Sequence, residues 1–152
     1  MPATPAITLR PVDRTNWHAV VALRITPAQQ ATVSELSHLL LLCHYDETWH
    51  PLAVYRDGTV IGFLMWGLDP NDGSCWLRGV RIDQRWQGQG YGKAAVQAAL
   101  DLLASVHGCR HFVLAYKPAN TVARHLYQTL GFVETDEWMD GEVVARLRLA
   151  DG

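Results

Sequence analysis

A strand-like segment, a glycine-rich turn and a long helix follow one another directly in the middle of this chain. The apolar run from Leu77 to Ile82 precedes a turn with glycines at positions 88, 90 and 92, and apolar residues at helical spacing continue from Ala94 to Val106. The first N–H groups of a helix have no partner inside the helix. A turn without side chains can therefore present those groups to an anion. The segment predicts a strand–turn–helix unit with an anion-binding turn.

Two well-known phosphate-binding loops do not match this turn. A Walker loop requires a glycine five residues before Gly92 and a serine or threonine after Lys93, where this chain has Gln87 and Ala94. A dinucleotide-binding loop requires the spacing G-x-G-x-x-G, whereas the spacing here is G-x-G-x-G. Taken alone, the turn would also fit a plain helix N-terminus whose glycines serve only tight packing.

The size and composition indicate one globular domain over residues 1–152. Of the residues, 49% are apolar and 18% are charged, and the net charge of −2 shows no basic excess to neutralise nucleic-acid phosphates. The longest aliphatic run, Leu39 to Leu42, is far shorter than the ~20 residues that span a bilayer. The N-terminus lacks the layout of a signal peptide, so we expect a cytoplasmic protein without nucleic-acid or membrane partners.

Residue types that bind metals form no compact pattern. Four of them lie close together in the sequence: His44, Asp46, Glu47 and His50. Their spacing matches no zinc motif, so no metal site is predicted. The cysteines are odd in number and widely spaced, at positions 43, 75 and 109, which predicts free, buried thiols in a reducing compartment.

Capping and turn residues divide the rest of the chain into short elements. We expect strands over Ile7 to Val12, Leu52 to Tyr55, Val60 to Trp66, Cys75 to Ile82, Phe112 to Ala115 and Val143 to Leu149. We expect helices from a Thr15 cap through Leu23, from a Thr26 cap with Pro27 and Gln29, from Glu35 to His44, and after Asn120. Asp57-Gly58 and Asp140-Gly141 mark hairpin turns. Antiparallel strands followed by strand–helix–strand–helix and a closing hairpin predict a mixed α/β fold.

Two motifs resemble those of one enzyme family. The first, Arg85-Trp86-Gln87-Gly88-Gln89-Gly90, matches the pattern Arg/Gln-x-x-Gly-x-Gly. In the second, 30 residues later, Asn120 opens a helix, Tyr127 lies late in it and Gly131-Phe132 ends it. The pair resembles the GNAT acetyltransferases, which use acetyl-CoA as co-substrate. The resemblance implies a GNAT fold over the whole chain: a central, mostly antiparallel mixed sheet of about six or seven strands with helices on both faces.

The resemblance also implies where acetyl-CoA binds. Backbone N–H groups of the turn would wrap the pyrophosphate, with Lys93 adding positive charge nearby: Gln87, Gly88, Gln89, Gly90, Tyr91 and Gly92. The backbone edges of Val80, Arg81 and Ile82 would pair with the pantetheine as an added strand. A main-chain N–H of that strand would polarise the thioester carbonyl. Asn120 is expected to cap its helix and also to contact the cofactor.

Tyr127 matches the position of the family's general acid. A phenol with a pKa near ~10 can protonate a leaving thiolate whose pKa is about 8.5, provided that the two groups are close and water is excluded. A tyrosine packed against the sheet only for structural reasons is the alternative. Replacement by phenylalanine distinguishes the two interpretations.

The general base has no clear candidate. A primary ammonium group titrates near ~10.4 and must lose a proton before it attacks. Many GNAT enzymes place an acidic residue on the strand before the turn, but residues Trp76 to Val80 contain none, and Asp83 follows that strand. Water could carry the proton to bulk, or an acid could come from elsewhere: Glu35, Asp46, Glu47, Glu137 or Glu142.

For the acceptor, the opening strand and the closing hairpin resemble the small GNAT branch that acetylates spermine and spermidine. Residues 31–35 depart from that branch in the segment expected to line the acceptor pocket. Five acids lie within residues 134–142, and they would attract a polyamine or merely face solvent. The expected acceptor contacts are Glu35, Glu47, Glu137 and Glu142, and Trp17, Trp49 and Trp138 could enclose an alkyl ammonium.

The sequence favours direct attack by a small-molecule amine on enzyme-bound acetyl-CoA, and the resemblance implies that this amine is spermine or spermidine. An aminoglycoside, an amino acid or a protein N-terminus is an alternative acceptor, and a non-catalytic acyl-CoA sensor is an alternative of another class. A homodimer is expected by analogy with other small domains that have spare apolar strands.

Overall fold

The protein was analysed as a computed structural model, which describes residues 6–31 and 33–150. The strands are β1 (Thr8–Pro11), β2 (Trp49–Arg56), β3 (Thr59–Leu68), β4 (Cys75–Ile82), β5 (His111–Tyr116), β6 (Val133–Met139) and β7 (Glu142–Arg148). The helices are α1 (Trp17–Val21), α2 (Pro27–Gln30), α3 (Leu36–Tyr45), α4 (Tyr91–His107) and α5 (Thr121–Thr129), and a 3-10 turn spans Gln84–Trp86. No described helix is long and apolar enough to cross a membrane.

All seven strands form one sheet in the order β1-β2-β3-β4-β5-β7-β6. Every pairing is antiparallel except that of β4 with β5, which is parallel. A parallel pair requires a long crossover, and α4 provides it. The mixed, mostly antiparallel sheet confirms the predicted fold class.

Each face of the sheet buries its own apolar cluster. On one face, α4 packs through Ala95, Val96, Ala99 and Leu103 against residues such as Leu64 and Phe112. On the other face, Val20 of α1 and Leu39 of α3 pack against Phe63 and Met65. Successive side chains of a strand point to opposite faces of the sheet. Since both faces of β3 are covered, the strand is buried almost throughout and contributes to both clusters. Helices therefore cover both faces, as predicted.

The central strand β4 is bent at Gly79. Arg78 pairs with Met65 and Arg81 with Phe63, so β4 carries an extra residue at this point, which is a β-bulge. Gly79 has a positive φ of 71°, and a Cβ atom there would lie 2.7 Å from Leu39 Cδ1. Any other residue here would have a strained left-handed backbone and would displace the Leu39 side chain of α3.

Beyond Trp76, β4 and β5 diverge. Their parallel pairing covers only Cys75 with Phe112 and Trp76 with Val113. From Leu77 onward the edge of β4 that faces β5 has no strand partner among the described residues. An open strand edge in the middle of a sheet can accept an extended ligand.

Several element boundaries differ from the sequence predictions. Thr15 does not cap α1, because its hydroxyl donates to Asp13 at 2.6 Å and the residue before the helix is Asn16. The long helix α4 begins at Tyr91 rather than Ala94, directly after the turn. The Thr26 capping box on Gln29 is confirmed. All three cysteines are free thiols, but Cys43 is only half-buried, unlike Cys75 and Cys109.

Candidate active site

Two cavities meet beside the bend in β4. The α4–α5 cleft, of about 610 Å³, lies between the glycine-rich turn and helices α4 and α5. The β4–β5 pocket, of about 200 Å³, lies where β4 and β5 diverge and is bounded by the segment before α3 and by the β6–β7 turn. Both cavities are lined by Val80, Arg81 and Tyr127. Molecules bound in the two cavities would therefore each contact these three residues.

The turn that opens α4 lines one end of the α4–α5 cleft. Gly88 and Gly90 have positive φ values of 77° and 87°, which place the chain in the left-handed region. Gly90 is the N-cap of α4, so the first N–H groups of the helix face the cleft without a capping side chain. Lys93, in the first turn of α4, also lines the cleft and is solvent-exposed. Backbone donors, the helix dipole and one cation together favour a phosphate group here.

Buried Asp83 holds the start of the turn. Its carboxylate accepts from the backbone N–H groups of Arg24 and Arg85 at 3.0 Å each and from Arg85 Nε at 2.9 Å. Burial raises the pKa of Asp83, but these donors together outweigh burial, and the pKa falls below its usual value. The carboxylate therefore stays charged and fixes the path of the chain into the turn.

Gln87 braces the other side of the turn. Its Nε2 donates to the carbonyl oxygen of Ile82 and to Gln29 Oε1, each at 2.8 Å, and Gln29 Nε2 donates back to Gln87 Oε1 at 3.2 Å. Gln29 also completes the capping box of α2. Helix α2 is thereby connected to the turn, a link between positions 58 residues apart.

Gly92 has a packing role. A Cβ atom on Gly92 would lie 3.1 Å from Leu126 Cδ1, so the missing side chain lets α4 approach α5 closely. The glycines are thus of two kinds, with Gly88 and Gly90 shaping the turn and Gly92 bringing the helices together. The interpretation as a tight helix start applies to Gly92, and the anion-binding turn predicted from the sequence stays a prediction for Gly88 and Gly90.

Most of the predicted cofactor residues lie together. Nine of the eleven line the α4–α5 cleft: Val80, Arg81, Ile82, Gln87, Gly88, Gly90, Tyr91, Gly92 and Lys93. Gln89 is exposed in the turn outside that lining. Asn120 lines the β4–β5 pocket instead, and its Oδ1 accepts from the backbone N–H of Ala123 at 3.2 Å as the N-cap of α5.

Tyr127 lies where the two cavities meet. Its ring is buried between Tyr116 and Phe132, with centroid distances of 5.8 and 5.9 Å. Burial, together with the neighbouring Tyr116, raises the pKa of Tyr127 well above its usual value. The hydroxyl therefore remains protonated at neutral pH and can act only as a proton donor in its resting state.

The β4–β5 pocket carries charges of both signs. Arg78 on β4 projects into it with its guanidinium 5.7 Å above the Trp49 ring, and Trp76 lies beside them. Asp140 and Glu142, from the β6–β7 turn, lie on its rim. Among the described residues, neither Arg78 nor Glu142 forms an ion pair within 4.0 Å. Two opposite, unpaired charges thus face one cavity.

The predicted acceptor residues are not gathered in one place. Glu142 lines the β4–β5 pocket, whereas Glu35 is the exposed residue before α3 and Glu47 is exposed between α3 and β2. Glu137 is bound by Arg146 through two hydrogen bonds of 2.8 and 3.0 Å. Trp49 lines the pocket, but Trp17 and Trp138 do not.

A family comparison now identifies the chain. The model of the Acetyltransferase (GNAT) family matches residues 16–132, which include both sequence motifs and every residue where the cavities meet. The chain belongs to the GNAT acetyltransferase family. It is therefore an N-acetyltransferase, and the family uses acetyl-CoA.

Individual GNAT relatives share most of the chain. The Spermine/spermidine N(1)-acetyltransferase of Bacillus subtilis (strain 168) is 31% identical over 136 residues, which are 84% of this chain and 88% of that protein. The crystal structure of spermidine N-acetyltransferase from Vibrio cholerae, in complex with CoA and spermine, matches with a TM-score of 0.71 at 22% identity over 93% of each chain. A domain from Methanocaldococcus jannaschii DSM 2661 matches with a TM-score of 0.76 at 17% identity over 95% of this chain and 99% of that domain. The two structures share the GNAT fold.

Sequence reasoning missed four residues of this GNAT site. Arg78 and Trp76 line the β4–β5 pocket, Gln29 braces the turn, and Tyr116 packs on Tyr127 while its hydroxyl donates to Glu134 at 2.6 Å. The alternation of β4 could have placed Trp76 and Arg78 on one face. No local signal identifies Gln29 or Tyr116, because their partners are distant in sequence.

Proposed function

We propose that this GNAT enzyme transfers the acetyl group of acetyl-CoA directly to a primary amine while both substrates are bound. The observation that carries the proposal is the meeting of two separate cavities at Val80, Arg81 and Tyr127. A cofactor in one cavity and an amine in the other would place the reacting atoms side by side. Such positioning alone supplies a large part of the rate enhancement in two-substrate reactions.

The α4–α5 cleft fits acetyl-CoA. The N–H groups at the start of α4 and the ammonium of Lys93 suit the pyrophosphate. The open edge of β4 beyond Trp76 suits the amide groups of pantetheine, which would lead the thioester toward Val80. A β4 N–H group is then available to stabilise negative charge that develops on the carbonyl oxygen.

Tyr127 supplies the proton for the departing thiolate. Its raised pKa keeps the hydroxyl protonated until the thiolate sulfur, the proton acceptor, forms beside it. Tyr127 also closes the region where the cavities meet, so that bulk water is kept from the leaving group.

A polyamine such as spermine or spermidine is the acceptor class best supported by the relatives. The Bacillus subtilis relative that is 31% identical is a spermine/spermidine acetyltransferase. Asp140 and Glu142 could attract an alkyl ammonium, and Trp49 and Trp76 offer aromatic faces in the same pocket.

Arg78 favours a second candidate acceptor. Its guanidinium shares the β4–β5 pocket with two carboxylates and would repel a polycation while attracting an anion. A small amine that also carries a carboxylate or another acidic group would satisfy Arg78 and Glu142 together. The segment before α3 borders this pocket, and it is also the segment in which the sequence departs from the polyamine branch.

The test is the release of thiol from acetyl-CoA with a panel of amines. The panel contains spermine, spermidine, putrescine, an aminoglycoside, several amino acids and a short peptide. The proposal predicts saturable turnover with at least one small amine and intersecting initial-rate lines, which indicate a ternary complex. Parallel lines would contradict direct transfer. Tight acetyl-CoA binding without turnover on any amine would favour a sensor.

The variant Arg78→Ala separates the two acceptor classes. For a polyamine, removal of this positive charge should leave the KM unchanged or lower it. For an acceptor with an acidic group, the KM should rise about 10-fold or more, because a charge-assisted hydrogen bond is lost. Arg14, an exposed arginine outside the β4–β5 pocket, provides the control variant Arg14→Ala.

A further inference from the structure

Acetylation of a primary ammonium group requires a proton acceptor, and β4 does not supply one. The strand carries Arg78 and Arg81 on the side of the β4–β5 pocket and has no acidic residue. Arg81 is buried and donates to the carbonyl oxygens of Gly79 and Ser34 at 3.0 and 2.8 Å, so it has a structural role. A proton acceptor must therefore come from another element.

The structure reduces the five sequence candidates to one element. Glu35, Asp46 and Glu47 lie outside the lining of the β4–β5 pocket, and Glu137 is held by Arg146. Among residues 6–31 and 33–150, the carboxylates that line this pocket are Asp140 and Glu142. They differ in setting, because Asp140 is exposed in the turn at a φ of 49°, whereas Glu142 is half-buried at the start of β7.

Glu142 has the surroundings of a proton acceptor. The charged groups that act on it are Arg78 from β4, Lys117 after β5 and Asp140 in its own turn. Burial raises the pKa of Glu142, Asp140 raises it further, and Arg78 and Lys117 oppose the shift without cancelling it. A carboxylate with a raised pKa is a stronger base than an ordinary carboxylate.

We propose that Glu142, entering the β4–β5 pocket from β7, accepts the proton of the acceptor's ammonium group, directly or through one water. The inference rests on the proposed function, since it assigns the base of that reaction. It moves the base from the strand before the glycine-rich turn to the closing hairpin, on the opposite side of the same pocket.

The proton inventory of this step balances. Glu142 removes one proton from the ammonium nitrogen, and the freed lone pair forms the bond to the acetyl carbon. The carbon–sulfur bond breaks with its electron pair on sulfur, where Tyr127 supplies a proton. The surplus proton on the new amide nitrogen returns to Tyr127, and Glu142 releases its proton to water. The products are one amide, one thiol and one proton.

The test compares Glu142→Gln with the wild type across pH, using an acceptor identified in the amine panel. A base role predicts that kcat/KM at pH 7 falls about 100-fold or more. Without a base the variant depends on the neutral amine, whose fraction rises about tenfold per pH unit up to its pKa. The defect should therefore shrink by about the same factor per unit, so that a defect of about 100-fold at pH 7 nearly vanishes by about pH 9. An acceptor amine of lower pKa should shrink the defect at fixed pH.

Asp140→Asn is the matched control, since it removes the same charge from the same hairpin. Loss of attraction alone changes KM by a factor that is constant at every pH below the pKa of the amine, and this behaviour is expected for Asp140→Asn. The same constant factor in Glu142→Gln would reduce Glu142 to a binding residue and overturn the proposal. Wild-type kinetics in Glu142→Gln would also overturn it.

Acetyl-CoA binding reports folding of the variants. If Glu142→Gln does not bind the cofactor, Glu142→Asp replaces it in the comparison. The shorter carboxylate should retain the wild-type shape of the pH profile at a reduced rate, and a profile that instead follows the neutral amine would overturn the proposal. A wild type that acetylates no amine would refute the proposed function itself. An active wild type with a pH-independent defect in the variant would refute only the assignment of Glu142 as the base.

Discussion

The α4–α5 cleft and the β4–β5 pocket meet at the same three residues, yet the chain builds them in different ways. Most of the cleft comes from residues 80–93 and from the α5 helix, and backbone groups form the end where the glycine-rich turn opens α4. The pocket is built from side chains of at least six separate segments that range from residue 33 to residue 142. The first region is a local structure, whereas the second exists only once the whole sheet has formed.

A site made of backbone groups can stay the same across a family, whereas a pocket made of side chains can vary among its members. Backbone N–H groups are the same in every protein, so a phosphate site made of them depends on glycine spacing and little else. A pocket made of side chains changes its charge with each substitution. Arg78 and Glu142 illustrate the point, because neither belongs to the two family motifs and both line the β4–β5 pocket.

The largest predicted effect tests the backbone site. Gly90→Glu should lower acetyl-CoA affinity about 100-fold or more, because it places a negative charge and a left-handed, non-glycine residue against the pyrophosphate. Isothermal titration calorimetry measures the loss. Gly108→Glu is the control, since Gly108 has a φ of 67° at the other end of the same helix with open space around it. Equal losses in both variants would indicate helix destabilisation instead.

The next effect tests the junction of the two regions. Tyr127→Phe should reduce kcat about 100-fold while acetyl-CoA affinity changes little, because only the proton donor is removed. Steady-state kinetics and calorimetry separate the two quantities. Tyr55→Phe removes another buried phenol, which accepts from Asn16 Nδ2 at 3.0 Å and lines neither cavity, and it should retain wild-type kcat. A normal kcat in Tyr127→Phe would exclude Tyr127 from the chemistry.

The sequence predicted the α4–α5 cleft, which neighbouring residues build, better than the β4–β5 pocket, which residues distant in sequence build. The strand Cys75–Ile82 and the capping box at Thr26 follow from neighbouring residues and are confirmed. The acidic run of residues 134–142 appeared to be a single patch. In the structure Glu134 and Glu137 are bound by Arg124 and Arg146, while Glu142 faces the pocket. Strand alternation and partners distant in sequence decide which acids pair with arginines and which line the pocket. The order of residues in the sequence shows neither of these.

A moderate effect is expected at the brace of the turn. Gln87→Ala removes hydrogen bonds to Ile82 and Gln29, each worth about 1 kcal/mol, so acetyl-CoA affinity should fall about 10-fold. The control is Gln97→Ala, which removes an exposed glutamine that bonds to Asp101 on α4. Unchanged affinity in Gln87→Ala would mean that Asp83 and the glycines alone hold the turn. The α4–α5 cleft would then depend only on residues close together in the sequence, without the contact between Gln87 and Gln29.

The smallest effect is expected outside both regions, at Glu137. Its carboxylate is held by two hydrogen bonds from Arg146, which lower the pKa of Glu137, and it does not line the β4–β5 pocket. Glu137→Gln should therefore leave KM for a polyamine or any other acceptor within about twofold of the wild type, since solvent screens an exposed charge. A steady-state assay at 0.15 M salt and again at low salt measures this. A several-fold rise in KM that disappears at high salt would show that the whole hairpin attracts the acceptor. The boundary between the pocket and its surroundings would then be electrostatic rather than steric, and acceptor selection would begin before the amine reaches Glu142.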